Sequence, residues 1–304
     1  MIYDSIKRDI FPYVAPSIRE HLEKISKSDC EMICEIRIGK NMPISLSLTD
    51  MAVFLDKNGK FCNAAENAVY TENSDFEKTL ELMTKSSVYA AVDEIKRGFI
   101  TLCGGYRVGI CGRAVLSEQK ISYIKDISFL SIRIKREVFG CADALAKFIA
   151  DGKNVKSTLI IGPPHSGKTT VIRDLARILS DSFFRRVAIA DERGEIAAMY
   201  RGNAQNNVGK LTCVMDLCPK KDAVNMLIRS MSPDVIITDE IGGEADLTAV
   251  RSALLSGVGI IATRHGKNFS DVKKLLPLFD CAVLLSRENV GKIQKIIKAG
   301  DEYV

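Results

Sequence analysis

Hydrophobic and polar positions change rhythm once along this chain, near residue 138. Before that point the rhythm is mixed. Ile18, Leu22 and Ile25 fall on one helical face after Pro16. Met32, Cys34, Ile36 and Ile38 alternate with Glu31, Glu35 and Arg37, the period-two pattern of a half-buried strand. Residues 43–48 read as its neighbour. Val53, Phe54, Leu55 and Phe61 flank Asn58-Gly59, a hairpin signal. Ser74-Asp75-Phe76-Glu77 has the form of a capping box opening a helix that points Phe76, Leu80 and Met83 one way. A second helix is expected over about 88–97, ending at Gly98. Residues 99–102 and 106–115 read as strands joined at Gly104-Gly105, and 121–125 and 129–134 as two more. The pattern predicts a small α+β domain with a mostly antiparallel sheet over 1–137.

Beyond residue 138 helical and strand patterns alternate, which predicts a mostly parallel sheet with crossover helices. Strands are expected at 159–161, 187–190, 235–238, 260–263 and 282–285, then a hairpin about Glu288-Asn289 running into 292–298. Residues 138–156, with Gly140, a short helix and Gly152, read as the connection between domains, and 157–304 as an α/β domain.

The second domain carries the chemistry. Gly162-Pro163-Pro164-His165-Ser166-Gly167-Lys168-Thr169 fits G-x-x-x-x-G-K-[ST], between the apolar run Thr158-Leu159-Ile160-Ile161 and a helical pattern that begins at Thr170. Strand, glycine loop and helix aim backbone N–H groups and a helix dipole at phosphates. Gly162 and Gly167 allow the turn, Lys168 supplies charge for the β- and γ-phosphates, and the Thr169 hydroxyl is placed for Mg²⁺. His165 occupies a variable position in the loop. Val235-Ile236-Ile237-Thr238 ends in Asp239-Glu240, a buried strand delivering carboxylates. Asp239 would hold Mg²⁺ and Glu240 would orient and deprotonate water. A separate strand at 187–190 ends in Asp191-Glu192-Arg193-Gly194-Glu195, where Asp191 and Glu192 are placed to position water or Mg²⁺, or to form a solvated turn. Ile260 to Thr263 is followed by Arg264-His265-Gly266, and His265 is a candidate γ-phosphate sensor or a structural histidine.

Composition changes this picture little. The chain has 304 residues, 46% hydrophobic and 27% charged, with net charge +5, enough for two soluble domains and no strong demand for an anionic partner. Its nine cysteines form no C-x-x-C pair and read as reduced core residues of a cytoplasmic protein. No stretch has the length of a membrane span.

The order of phosphate loop, acidic box, Asp239-Glu240 and the run Ala262-Thr263-Arg264-His265-Gly266 resembles that of the type II and type IV secretion ATPases, the additional-strand P-loop NTPases. Within them it is similar to a family of stage III sporulation proteins. The runs Ile196-Ala197 after the acidic box, Ser232-Pro233-Asp234-Val235-Ile236, Ile241-Gly242-Gly243-Glu244, Glu35-Ile36-Arg37-Ile38 and Gly105-Tyr106-Arg107-Val108-Gly109 through Cys111-Gly112-Arg113 carry that likeness. The resemblance implies a RecA-like P-loop NTPase domain preceded by the smaller α+β domain. It implies hydrolysis of ATP with Mg²⁺, self-assembly into a hexameric ring, and work with membrane proteins of a secretion-like channel between mother cell and forespore. The protein would then be cytoplasmic or peripheral at the membrane. In such rings the first domain helps close the nucleotide site. Arg107 and Arg113 share a strand face by parity. They are the candidates for reaching the phosphates, ahead of Arg133 and Arg136, with surface arginines the alternative. Where many relatives place an arginine after the acidic pair, this chain has Ile241-Gly242-Gly243, and Arg264 stands where a small residue is common. Two other functions stay open: a regulatory nucleotide-binding module without turnover, and a nucleic-acid motor. No basic, aromatic-interleaved stripe supports the second.

Overall fold

The computed structural model describes residues 2–49, 51–84, 92–117, 120–152 and 154–298. The chain divides into two compact units, Met1–Arg136 and Glu137–Val304.

The first unit runs α1 (Ile2–Asp9), α2 (Pro16–Glu23), α3 (Lys27–Cys30), β1 (Glu35–Gly39), β2 (Ser45–Ser47), β3 (Ala52–Leu55), β4 (Phe61–Cys62), α4 (Asn73–Met83), α5 (Val92–Lys96), β5 (Phe99–Thr101), β6 (Arg107–Ser117) and β7 (Lys120–Arg133). The strands lie in the order β4-β3-β2-β1-β7-β6-β5, every ladder antiparallel. Alternation puts Ile36, Ile38, Leu46, Val108, Ile110, Leu130 and Ile132 into one core with Ile18, Leu22 and Phe76 of the helices. Each such fully buried side chain contributes roughly 1.5–3 kcal/mol. Two local expectations shift. Helix α4 starts at Asn73 after Glu72, without a side-chain cap, so Ser74 and Glu77 lie within the helix and no capping box forms. The pieces expected at 121–125 and 129–134 are one strand, β7. Its pairing with β6 shifts register between Cys111 and Arg113, near Asp126 with its φ of 49°. Of the helix expected at about 88–97, residues 88–91 lie outside the described residues.

The second unit runs α6 (Asp143–Ile149), β8 (Ala150–Asp151), β9 (Asn154–Val155), β10 (Thr158–Gly162), α7 (Lys168–Asp181), β11 (Val187–Asp191), β12 (Met199–Tyr200), β13 (Asn203–Ala204), β14 (Thr212–Asp216), α8 (Lys220–Met231), β15 (Val235–Thr238), α9 (Glu244–Leu255), β16 (Gly259–His265), β17 (Cys281–Leu285) and β18 (Ile293–Lys298). Its main sheet has the order β14-β11-β15-β16-β10-β17-β18, parallel except for the last pair. The central strands are buried on both faces, which is why they read as unbroken apolar runs. Ile160 and Ile189 pack with Leu145 of α6 and Val171 and Leu175 of α7. Leu159, Ile161 and Ile236 pack on the opposite face with Val224 and Leu227 of α8 and Val250 of α9. Leu145, Ala146 and Ile149 of the expected connection lie in the core of this unit, and the Ala142 N–H donates to Asp174 Oδ2 at 3.0 Å.

The strand order decides which chain segments meet. Strand β11, between the phosphate loop and Asp239 in sequence, lies on the far side of β15 in space. The strand interposed between β10 and β15 is β16, so His265 ends up between the phosphate loop and Glu240.

Candidate functional site at the carboxyl edge of the parallel sheet

The phosphate loop leaves the fully buried strand β10 and enters α7 at Gly167, whose φ of 86° is one a glycine adopts freely. A Cβ on Gly162 would lie 2.3 Å from the Ser166 hydroxyl and 3.3 Å from Leu285 Cβ, so a side chain there would force Ser166 to move. Ser166 Oγ is buried without a hydrogen-bond partner. Helix α7 has no side-chain N-cap, so its first-turn N–H groups face the loop uncapped. Pro164 and His165 are exposed, Pro163 half-buried, and Thr169 and Thr170 half-buried in the first helical turn. Lys168 is buried. Its Nζ donates to the carbonyls of Gly162 (2.9 Å) and Pro163 (2.7 Å) and lies 3.2 Å from His265 Nδ1. Burial pulls the lysine's pKa below its ordinary value, opposed by the charge of Glu240.

An ammonium only donates, so His265 Nδ1 accepts from it and the ring proton sits on Nε2. Nε2 in turn donates to Glu240 Oε1 at 2.9 Å. The other carboxylate oxygen of Glu240 pairs with Arg193. Glu240 stands at the end of β15 with φ of 38°, a strained conformation for a residue with a Cβ. Two bonds hold it there: its N–H to Thr263 Oγ1 (2.8 Å) and the Ile241 N–H to the Thr263 carbonyl (2.8 Å). Arg264 clamps the next turn, with Nη1 donating to the carbonyls of Ile241 (2.9 Å) and Gly242 (3.1 Å).

Beside this chain lie the other carboxylates. Asp239 is 1% exposed and its Oδ1 has no hydrogen-bond partner. Burial raises its pKa to about 6, against the lowering effect of Lys220. The Lys220 ammonium is itself buried, paired with Glu192 and 3.9 Å from Asp239 Oδ1. Asp191 is not available to water or metal. Its carboxylate accepts the N–H groups of Glu195 (2.9 Å), Ile196 (3.0 Å) and Ala197 (2.9 Å) and so folds the acidic turn. Arg173 of α7 ties that turn down through the carbonyls of Glu195 (2.7 Å) and Ile196 (2.8 Å).

Among the described residues no group of three or more His, Cys, Asp and Glu is placed to hold a metal ion. The Thr169 hydroxyl and the orphaned Asp239 oxygen are hard oxygen donors. They fit a small divalent cation that takes most of its ligands from phosphates and water.

Arg107 and Arg113 belong to the first unit. Arg107 stacks on the Phe99 ring, 3.7 Å from its centroid, while Arg113 is exposed beyond the register shift that separates the two. Arg136 donates to the carbonyls of Glu31 (2.6 Å) and Ile33 (3.3 Å), and Arg133 lies 3.8 Å from Glu35.

Sequence reasoning missed Lys220, Arg173 and the pairing role of Arg193. Lys220 carried a signal: a lysine at the first position of a helix opposes the helix dipole, an arrangement that needs nearby acids.

A family model described as sporulation stage III, protein AA matches residues 4–297. The chain is 36% identical over 270 residues to the stage III sporulation protein AA of Bacillus subtilis (strain 168), covering 88% of this chain and 84% of that one. Among solved structures it is similar to the Legionella pneumophila ATPase DotB, with TM-score 0.56 and 15% identity, covering 88% of this chain and 75% of that one. It is also similar to the ADP-bound pilus retraction motor PilT, with TM-score 0.56 and 13% identity, covering 85% and 76%. At such identities the likeness is one of fold: an N-terminal domain followed by a RecA-like ATPase domain.

Proposed function

The chain belongs to the sporulation stage III, protein AA family, and on that footing we propose that it binds and hydrolyses ATP as the motor or assembly ATPase of a secretion-like membrane complex. The observation that carries the reading is the hydrogen-bonded chain Lys168–His265–Glu240, which links the phosphate loop to an acid two strands away. It supplies a phosphate-binding cation, a group able to report phosphate occupancy and a candidate base on one edge of the sheet.

In this reading the amides of residues 162–170 and the Lys168 ammonium hold the β- and γ-phosphates, Lys168 exchanging loop carbonyls for phosphate oxygens. Thr169 and Asp239 hold Mg²⁺, which when bound neutralises charge on the phosphate oxygens. Glu240 accepts a proton from water, and Arg193 and His265 fix its two oxygens while each keeps a further lone pair. Glu192 is the reserve base, although its carboxylate is committed to Lys220. Arg107 and Arg113 would add charge when subunits close into a ring, and a hexamer is the expected assembly. Among the described residues no helix is long and apolar enough to cross a membrane, so the proposed association is peripheral, through membrane proteins of the complex.

A nucleotide-binding module without turnover is the second reading. It is favoured by the ion pair of Glu240 with Arg193, which engages a carboxylate oxygen of the candidate base before any water is bound. Phosphate release from MgATP by the full-length chain, across a range of protein concentrations, separates the two. The motor reading expects a rate per subunit that rises with concentration and falls in Arg107→Ala or Arg113→Ala. No release at any concentration leaves the module.

A further inference from the structure

Lys220 is a buried charge for which the proposed reaction has no use. It begins α8, its side chain is 4% exposed, and its ammonium faces two carboxylates from the ends of different strands, Glu192 after β11 and Asp239 after β15. The contacts are unequal. Glu192 is bound closely, whereas Asp239 Oδ1 is 3.9 Å away, too far for a hydrogen bond. That oxygen has no other partner and sits in a side chain 1% exposed. A buried carboxylate oxygen left short of a donor, with a cation held just out of bonding range, is a site for a second cation that the lysine partly opposes.

We propose that Lys220 is an internal counter-ion that holds the Asp239–Glu192 pair closed to free divalent cations, so that a metal is taken up there only in company with nucleotide. This rests on the reading of Asp239 as a metal ligand. A buried carboxylate, Asp239, and a half-exposed one, Glu192, at the ends of adjacent strands would bind a divalent ion on their own. A fixed ammonium supplies the neutralising charge in advance and repels a dication approaching the same oxygens. Phosphates bound at the loop bring enough negative charge to reverse that balance. The consequence is ordered loading. The resting protein does not hold an ion that would have to leave before a metal–nucleotide complex could enter.

The test is Mn²⁺ binding followed by electron paramagnetic resonance, on full-length protein with and without a non-hydrolysable ATP analogue. Without nucleotide, wild type and Lys220→Arg are expected to bind Mn²⁺ weakly. Lys220→Met should bind it at least about tenfold more tightly, and Lys220→Met/Asp239→Asn should lose the gain. Thermal melting checks that each variant folds. If Lys220→Met does not fold, Lys220→Gln carries the same expectation. No gain in a folded charge-removing variant overturns the proposal, as does a gain that survives Asp239→Asn. With the analogue bound, the single variant Asp239→Asn should weaken Mn²⁺ retention. If it retains Mn²⁺ as wild type does, the metal-ligand reading itself falls, independently of what Lys220 does.

Discussion

Two buried lysines stand at the same sheet edge in opposite kinds of company. Lys168 is held by neutral acceptors, two loop carbonyls and an imidazole nitrogen. Lys220 is held by carboxylates. Burying a charge among neutral dipoles leaves it under-compensated, which is why burial lowers the pKa of Lys168. Such a cation can exchange its partners for a phosphate. A lysine already paired with acids has no such incentive and serves as a fixed charge. In the proposed function the loop side serves exchange and the acidic side permanence, with Asp191 spending its carboxylate on three backbone amides as the clearest case of the latter.

This contrast can be broken at specific points. Lys168→Ala should weaken nucleotide affinity by about 100-fold or more, the loss of roughly 3 kcal/mol in charged hydrogen bonds. Its melting temperature should change little, because only exchangeable contacts are removed. Calorimetric titration and thermal melting measure the two. Asp191→Asn should behave in the reverse way. Its amide nitrogen cannot accept, so one of the three backbone N–H groups loses its acceptor, costing about 1–3 kcal/mol of stability by denaturant titration.

In metal-free protein Asp239 links stability to pH. Its folded pKa of about 6 stands above the ordinary 3.8, so the native state binds more protons between those values. Wild-type stability should therefore fall as pH rises from about 4 to 6 and level off above. Asp239→Asn should abolish that fall. It should be more stable than wild type at pH 7 by on the order of 2 kcal/mol, with the difference gone below about pH 4. His265→Ala should have the smallest effect. Nucleotide affinity stays within a few-fold and turnover drops about tenfold, as expected for one hydrogen bond that positions Glu240.

Much of the edge was legible in the chain, for reasons specific to each part. Residues 162–170 combine a glycine in the left-handed region, Gly167, and a close approach at Gly162 with a lysine at the helix start, and that combination survives translation into sequence. The central strands were readable because burial on both faces leaves an unbroken apolar run. Strand β14 was not, since its residues Thr212–Asp216 are all only half-buried at the sheet margin. The neighbours of β16 were not legible either. Spatial order in a parallel sheet is set by crossovers, so chain order pointed to β11 as the inserted strand. The commitments of Asp191, Arg193 and Lys220 depend on contacts between segments remote in sequence, which no local pattern records.

Glu240, held by His265 and Arg193, is the proposed base of an ATP-hydrolysing site. The most direct measurement compares phosphate release and nucleotide binding for wild type and Glu240→Gln under the same conditions. The substitution keeps the shape of the side chain and removes its capacity to take a proton. Nucleotide affinity should stay within about twofold of wild type while turnover falls by about 10²–10⁴-fold. Wild-type turnover by the variant, with binding intact, would contradict that assignment.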